Sequence, residues 1–317
     1  MTSTAAGIAF RDRLLEHGVL VSSGVPGLYG RSGAFEEVVD GIERYVTRMG
    51  RADGPEVLRF PPILNRSHMA RSGYLNSFPQ LAGSVHSFDG GAAEHKELMH
   101  HLDVGEEWAD ALPPTDVALT PAACYPVYPI AAGMLPEGGR LFDVMSYCFR
   151  HEPSTDPARM QSFRQREYVR LGTPDDVRAF RDLWLERSQM MLSSLGLQVK
   201  ADLANDAFFG KRGRMLAASQ RDQSLKFEIL APVADAEALT AIASCNYHLD
   251  HLSGAFGVYT APNELAHTAC VGFGLERITL ALFAAHGLCV DEWPAEVLGI
   301  LGVDTAPAPQ ERTMSVS

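Results

Sequence analysis

No stretch of this chain approaches the roughly 20 uninterrupted apolar residues that a bilayer span needs. Its first residues, Met1 to Gly7, lack the basic start and apolar core of a secretory signal, so a soluble cytoplasmic protein is the expectation. Cysteine is scarce. Cys124, Cys148, Cys245, Cys270 and Cys289 are an odd number scattered over 317 residues, which excludes a disulfide framework. Reduced thiols packed as small hydrophobes are the default for such residues. Cations are also short: 27 Lys and Arg face 39 Asp and Glu, a formal charge of −12. A broad nucleic-acid footprint rests on phosphate neutralisation by cations, so this balance argues against one. Internal repeats and low-complexity blocks are absent.

What remains is an ordinary globular composition, 46% hydrophobic and 21% charged, long enough for one large domain or two modest ones. Thr305 to Ser317, rich in Pro, Ala, Ser and Thr, has little to bury and is expected to be a disordered tail. Thr173-Pro174-Asp175-Asp176 predicts a helix start, with a capping hydroxyl, a proline at the first helical position and acids in the first turn. Phe180, Leu183, Trp184 and Met191 then fall on one face before Gly196 stops the helix.

Phe142 to Glu152 and Gln161 to Arg170 read as two strands joined by a loop holding Pro153 and Pro157. Side chains alternate along a strand, so Cys148, Arg150 and Glu152 share a face, as do Phe163, Gln165, Glu167 and Val169. Folding the hairpin about its midpoint opposes Glu152 with Phe163, Arg150 with Gln165 and Cys148 with Glu167. One face then carries an arginine, two carboxylates and an aromatic ring, an arrangement that a one-residue slip destroys. Further on, Gly272-x-Gly274 fails as a dinucleotide-binding turn. The third glycine of that fingerprint falls on Arg277, and too little chain follows for such a domain. A glycine-rich turn into a helix followed by an arginine instead suits phosphate at a helix N-terminus.

These segments carry a resemblance. Cys148-Phe149-Arg150-His151-Glu152 with Gln161-Ser162-Phe163-Arg164-Gln165-Arg166-Glu167 resembles motif 2 of class II aminoacyl-tRNA synthetases, in its seryl-tRNA synthetase form. Gly272-Phe273-Gly274-Leu275-Glu276-Arg277, leading into an apolar helix that ends at His286-Gly287, resembles motif 3 about a hundred residues later. Leu58-Arg59-Phe60-Pro61-Pro62 and Phe78-Pro79 are similar to motif 1, which builds the dimer interface of that class. Leu225-Lys226-Phe227-Glu228-Ile229 resembles the strand with a glutamate near the ATP metal. Ala241-Ile242-Ala243-Ser244-Cys245-Asn246 resembles the strand lining the aminoacyl pocket. The resemblance covers roughly residues 50 to 290 and implies an α+β class II synthetase catalytic fold, a mostly antiparallel sheet flanked by helices. It divides the chain into an N-terminal segment (1–50), a catalytic domain (51–304) and the tail (305–317).

Two departures narrow the family. Seryl-tRNA synthetases carry a long N-terminal coiled coil that grips tRNA, whereas only about fifty residues precede motif 1 here, with glycine and proline at Gly24 to Gly33. The Thr-x-Glu that binds the seryl amine is missing, and Thr120-Pro121-Ala122-Ala123-Cys124 stands in its neighbourhood. Cys124, Glu167 and Cys270 match the zinc ligands of the atypical, methanogen-type seryl-tRNA synthetases. Spacing alone would leave both cysteines as core residues. A short core with these ligands resembles the amino acid:[carrier protein] ligases, homologues of those synthetases that aminoacylate the phosphopantetheine thiol of a small carrier protein.

The resemblance implies zinc on Cys124, Glu167 and Cys270, with one tetrahedral position open for the substrate amine. Glu167 then also meets the amino acid, and Ala241, Ile242, Ala243 and Ser244 are the implied walls that admit glycine or alanine by excluding larger side chains. ATP is implied to lie on Arg150 at the α-phosphate, Glu152 at the adenine amino group, Phe163 under the ring and Arg277 at the terminal phosphates. Arg159 and Met160 from the motif 2 loop, Lys226 and the Mg2+ ligand Glu228 complete that set, with Arg150 and Arg277 catalytic. Phe208-Phe209-Gly210-Lys211-Arg212-Gly213-Arg214 is a candidate docking patch for an acidic carrier. His100-His101 and His248-x-x-His251 are not needed as metal ligands. A homodimer is expected and tRNA is not. The alternatives are a tRNA-directed enzyme that has lost its arm and a catalytically silent binding module.

Overall fold

The computed structural model describes residues 4–234, 238–260 and 263–303, apart from the side chains at 211 and 212. The tail expected over 305–317 lies outside the described residues. A seven-stranded sheet organises the rest. Numbered along the chain, its strands are β1 (Glu56–Arg59), β2 (Arg140–Phe149), β3 (Ser162–Gly172), β4 (Lys200–Leu203), β5 (Lys226–Pro232), β6 (Leu239–Leu249) and β7 (His267–Gly274). Across the sheet they run β4-β5-β6-β7-β3-β2-β1, and every neighbouring pair is antiparallel except β1 with β2. This is the expected α+β architecture.

Alternation along the strands gives the sheet two different faces. Tyr168, Ile229, Cys245, Val271 and Phe273 point into the larger core, beneath three helices. These are α1 (Gly33–Gly50), α2 (Pro174–Ser194) and α3 (Leu275–His286). Glu167, Val169, Cys148 and Cys270 point the other way, toward a smaller core that includes Val127, Tyr128 and Phe256. The face away from the helices is where the chemistry collects.

The α2 start forms as the sequence predicts: Thr173 Oγ1 accepts from Asp176 N at 3.4 Å and donates to Asp176 Oδ2 at 2.7 Å. Phe180, Trp184 and Met191 are buried, with the Trp184 ring stacked 4.6 Å from Tyr168. Leu183 differs and is 48% exposed. At about 100° per residue it sits roughly 120° from the centre of the buried stripe, beyond reach of the sheet. In α1, Phe35, Val38, Val39, Ile42 and Val46 follow helical spacing and enter the same core as Phe273. Residues 5–50, expected as a segment outside the catalytic domain, therefore share its hydrophobic core.

The central hairpin requires a correction. Strand β2 ends at Phe149, so Arg150 and Glu152 stand just beyond it, and the register opposes Cys148 with Phe163, Ser146 with Gln165 and Val144 with Glu167. The expected pairing is displaced by four residues. An even displacement leaves each side chain on its expected face, so Cys148, Phe163, Gln165 and Glu167 still share one. The expected centre was misplaced because the first strand stops at Phe149, three residues short of Glu152, so the hairpin turns midway between Phe149 and Ser162, and the 150–161 connection is folded on itself. Glu152 N donates to Arg150 O at 2.7 Å, and Arg159 N donates to Asp156 O at 3.0 Å.

Gly50 closes α1 directly over Tyr168, whose hydroxyl donates to Val46 O at 3.1 Å; a Cβ at position 50 would overlap the phenol. Alanine is favoured over glycine in a helix by about 1 kcal/mol, but overpacking of a filled core costs about 1–3 kcal/mol. Gly50→Ala is accordingly expected to lower unfolding stability by up to about 2 kcal/mol, the difference of those terms. Urea titration checks this, and a gain in midpoint would contradict it.

Candidate active site and metal centre

Three separate elements bring Cys124, Glu167 and Cys270 together. Cys124 lies in the loop after the strand Pro114–Leu119, tied to the end of β2 where Phe149 N donates to Thr120 O at 2.8 Å. Glu167 projects from the middle of β3. Cys270 comes from β7, one step along from Gly272, which pairs directly with Glu167. The candidate ligand atoms all lie within 4.8 Å of one another, and the residues are 5%, 1% and 5% exposed.

Burial makes these groups electrostatically uncomfortable. Cys270 is held well below the usual thiol range, first by the hydrogen bond from Cys124 and then by His248, against the effect of burial. Cys124 is pushed well above it by the same bond, by burial and by Glu167. Burial, then the charge of Cys270, raises Glu167 well above the ordinary carboxylate value. Glu167 Oε2 has no hydrogen-bond partner among the described residues. An orphaned carboxylate oxygen between two thiols in a dry site is costly unless a cation satisfies it. The two-sulfur, one-oxygen donor set suits a borderline divalent metal with a position left open.

Next to the triad stand Asn246 and His248, neither assigned a part in the site from the sequence. Asn246 Nδ2 donates to Cys270 Sγ at 3.4 Å and to Ser244 Oγ at 3.2 Å. His248 Nε2 lies 3.6 Å from Cys270 Sγ, while its Nδ1 pairs with Thr268 Oγ1 at 3.0 Å. These contacts orient a ligand sulfur from outside the ligand set. Their signal was available: 244, 246 and 248 are alternate positions on one strand. A Cβ on Gly272 would stand 3.5 Å from Glu167 Cγ, so glycine keeps the space above the carboxylate open. Of the four expected pocket walls, Ser244 lies on this face opposite Glu228, and Ala241 shares it by register opposite Leu230. Ile242 and Ala243 pack into the helix-side core, and the Ala241 carbonyl accepts from Arg277 Nη1 at 3.0 Å.

The arginines gather on the same side of the sheet. The Arg150 guanidinium sits 5.3 Å from the Phe163 ring centre, and its Nε donates to Pro121 O at 3.1 Å. Burial pulls its pKa down, but Tyr74, Cys148, Asp206 and Glu152 outweigh that and raise it. Arg277 Nε donates to Ala158 O at 2.8 Å, and burial together with the charges of Arg150 and Arg159 lowers its pKa. Such mutual repulsion marks a place prepared for anions. Met160 is 5% exposed and buried beside Arg31. Lys226 and Glu228 share a face as expected, 3.1 Å apart, but Lys226 is also paired with Asp206, which the sequence did not flag. Beneath the cluster, Glu276 accepts from Arg164 N at 2.6 Å and Arg164 Nε at 2.8 Å, locking the helix of motif 3 to the strand of motif 2.

Fold and site together define a class II aminoacyl-tRNA synthetase catalytic domain. The seryl-tRNA synthetase of M. kandleri, solved in complex with A. aeolicus tRNASec, superposes with a TM-score of 0.79 at 20% identity, over 92% of this chain and 60% of that one. No protein-family model matches. Type-2 serine–tRNA ligase of Methanopyrus kandleri is 28% identical over 196 residues, 57% of this chain and 37% of that protein. Amino acid–[acyl-carrier-protein] ligase 1 of Bradyrhizobium diazoefficiens is 47% identical over 284 residues, 89% of this chain and 87% of that protein. The chain belongs to the amino acid–[acyl-carrier-protein] ligase family. Among the described residues, no helix is long and apolar enough to cross a membrane.

Purified protein is expected to hold about one equivalent of a divalent metal at the triad. Cys124→Ala or Cys270→Ala should remove it, and Cys289→Ala, at an exposed thiol, should not. Cys124 and Glu167 must shed protons whose pKa values are raised, so uptake releases protons and affinity falls as pH drops. Elemental analysis and calorimetry in buffers of different ionisation enthalpy check both statements. Full metal content in either alanine variant would contradict them.

Proposed function

We propose that this chain activates a small amino acid, glycine or alanine, with ATP and passes it to the phosphopantetheine thiol of a small carrier protein. The observation that carries this reading is the buried Cys124–Glu167–Cys270 group on the sheet face that also holds Arg150, Phe163 and Glu228. Zinc, the metal this donor set favours, supplies when bound an open position for the free amine that every amino acid carries. Ser244 and Asn246 stand where a side chain on the substrate would project past Cys270. An extra methylene changes binding by only about 1–3 kcal/mol, so selection for small substrates relies on exclusion.

With the amine held, the substrate carboxylate oxygen attacks the α-phosphorus of ATP, and pyrophosphate leaves. Arg150 stabilises charge developing on the α-phosphate, while Arg277, with Arg159, holds the departing phosphates. Phe163 stacks on adenine and Glu152 accepts from its amino group, beside the backbone of Met160. Glu228 contributes to holding the Mg2+ that accompanies ATP, and Lys226, steered by Asp206, lies within the same anion site. The carrier thiol then attacks the adenylate carbonyl, AMP leaves, the thiol proton is released and a thioester remains. Catalysis is positioning plus charge stabilisation.

The helix Gly210–Asp222 begins with Phe209, 59% exposed, and presents the exposed residues Arg214 and Met215; Phe208 stacks on Phe78 at 5.1 Å. This suits an acidic carrier, although the side chains of Lys211 and Arg212 from the expected patch lie outside the described residues. Val57, Ile63 and Ile130 expose apolar surface near the β1 edge, which suits the homodimer contact of motif 1.

Amino-acid-dependent ATP–pyrophosphate exchange with glycine, alanine and serine tests the reading. Exchange is expected with glycine or alanine, to vanish with a chelator and to return with zinc. Arg150→Ala and Arg277→Ala should each lower it about 10²–10³-fold. Exchange indifferent to the chelator would remove the metal from the mechanism, and none with any amino acid would leave a silent binding module. Charging of bulk tRNA with serine would favour the tRNA-directed alternative.

A further inference from the structure

The N-terminal residues do more than fill the core. Leu20–Ser22 and Tyr29–Arg31 form a two-stranded antiparallel hairpin, which lies against the segment 156–162 of the motif 2 connection. Hydrogen bonds join the two. Gln161 N donates to Gly27 O at 2.8 Å, Gln161 Nε2 donates to Pro26 O at 2.8 Å, and Arg31 Nη2 donates to Ser162 O at 3.1 Å. That same Nη2 is 3.3 Å from Glu276 Oε1 and 3.8 Å from Met160 Sδ. Gly27 marks the tightest approach: it is buried, its φ of +79° is in the left-handed region, and an added Cβ would stand 3.2 Å from Arg159 O.

On its opposite side the connection is held by the candidate nucleotide residues themselves. Arg277 Nε reaches Ala158 O, and Arg150 N donates to Gln161 O at 2.9 Å. The segment that carries Arg159 and leads into Phe163 is thus gripped between the phosphate-binding arginines and the hairpin. A connection of this length samples many conformations unless something external holds it. The hairpin is that support, and Arg31 couples it to Glu276 at the start of α3. The metal triad draws instead on β3, β7 and the Cys124 loop.

We infer that Arg31, with the 23–31 turn, is a positioning residue for ATP, fixing the motif 2 connection in the shape that receives the nucleotide. This rests on the reading of Arg150, Arg159, Phe163 and Arg277 as the nucleotide site. Its consequence is asymmetric: disturbing the hairpin weakens use of ATP and leaves the amino-acid side intact.

Pyrophosphate exchange by Arg31→Ala, Gly27→Ala and Gln161→Ala, varying ATP and the amino acid in turn, tests this. The KM for ATP is expected to rise about ten-fold or more in the first two variants and by a smaller factor in the third. The KM for the amino acid and the metal content should stay at the parent's values. An ATP KM in folded Arg31→Ala and Gly27→Ala within about two-fold of the parent overturns the inference, being below any effect of misplacement. So does an equal rise for both substrates with a lowered melting temperature, the mark of a brace serving stability alone. If Arg31→Ala does not fold, Gly27→Ala and Gln161→Ala, which keep the Arg31–Glu276 pair, decide by the same criteria. Failure of the parent protein to exchange at all sinks the nucleotide reading and this inference with it. Normal exchange by the parent with unaltered variants sinks only the latter.

Discussion

The catalytic face is organised around a carboxylate that has almost no contact with water. Glu167 is 1% exposed, set between the sulfurs of Cys124 and Cys270, and one of its oxygens has no partner among the described residues. Desolvation penalises the charge and Cys270 penalises it further, against the relief of a hydrogen bond with Cys124. The surrounding structure reads as a response to this. Gly272 leaves open the space above the carboxylate, while Asn246 and His248 turn toward Cys270. The proposed metal and substrate amine would complete the balance.

Charge is handled differently a few residues away. In a chain with a formal charge of −12, Arg150 and Arg159 lie close enough to Arg277 to add to the effect of burial in lowering its proton affinity. Arg150 and Arg277 donate to the backbone carbonyls of Pro121, Ala158 and Ala241. The arginines with full carboxylate partners lie on the helix side of the sheet. Arg164 pairs with Glu276 and Glu36, and Arg166 pairs with Asp143. Buried pairs of that kind contribute little net stability, but losing one partner costs about 3–5 kcal/mol, so they hold elements in register. The carboxylate-paired Arg164 and Arg166 thus belong to the frame of the sheet.

Much of this was legible in the sequence, for reasons tied to particular residues. The cap at Thr173 and the apolar spacing of Phe180, Trp184 and Met191 are local, and local rules suffice for them. The hairpin register was misjudged by four residues, because β2 ends at Phe149 and not at Glu152, so the turn centres midway between Phe149 and Ser162. The faces survived that error only because four is even. Assignment of Cys124, Glu167 and Cys270 depended on the family resemblance, since no spacing rule links residues so far apart. Ile242 and Ala243 were placed on the substrate side by the same resemblance, yet their side chains face the helices. Asp206, Glu276 and Arg31 escaped notice because their meaning lies in partners on other elements, which periodicity along one element cannot show.

The ties that close the nucleotide cradle span long stretches of chain. Arg31 meets Ser162 across 131 positions, Arg277 meets Ala158 across 119, and Glu276 meets Arg164 across 112. Such contacts come late in folding, since loop closure must precede any reward from them. On a ribosome that delivers about 5–20 residues each second, the early hairpin waits for about 12 to 50 seconds before α3 is made. A nascent or prematurely ended chain lacking α3 therefore cannot assemble the cradle, and competence for ATP arrives only with nearly the whole polypeptide.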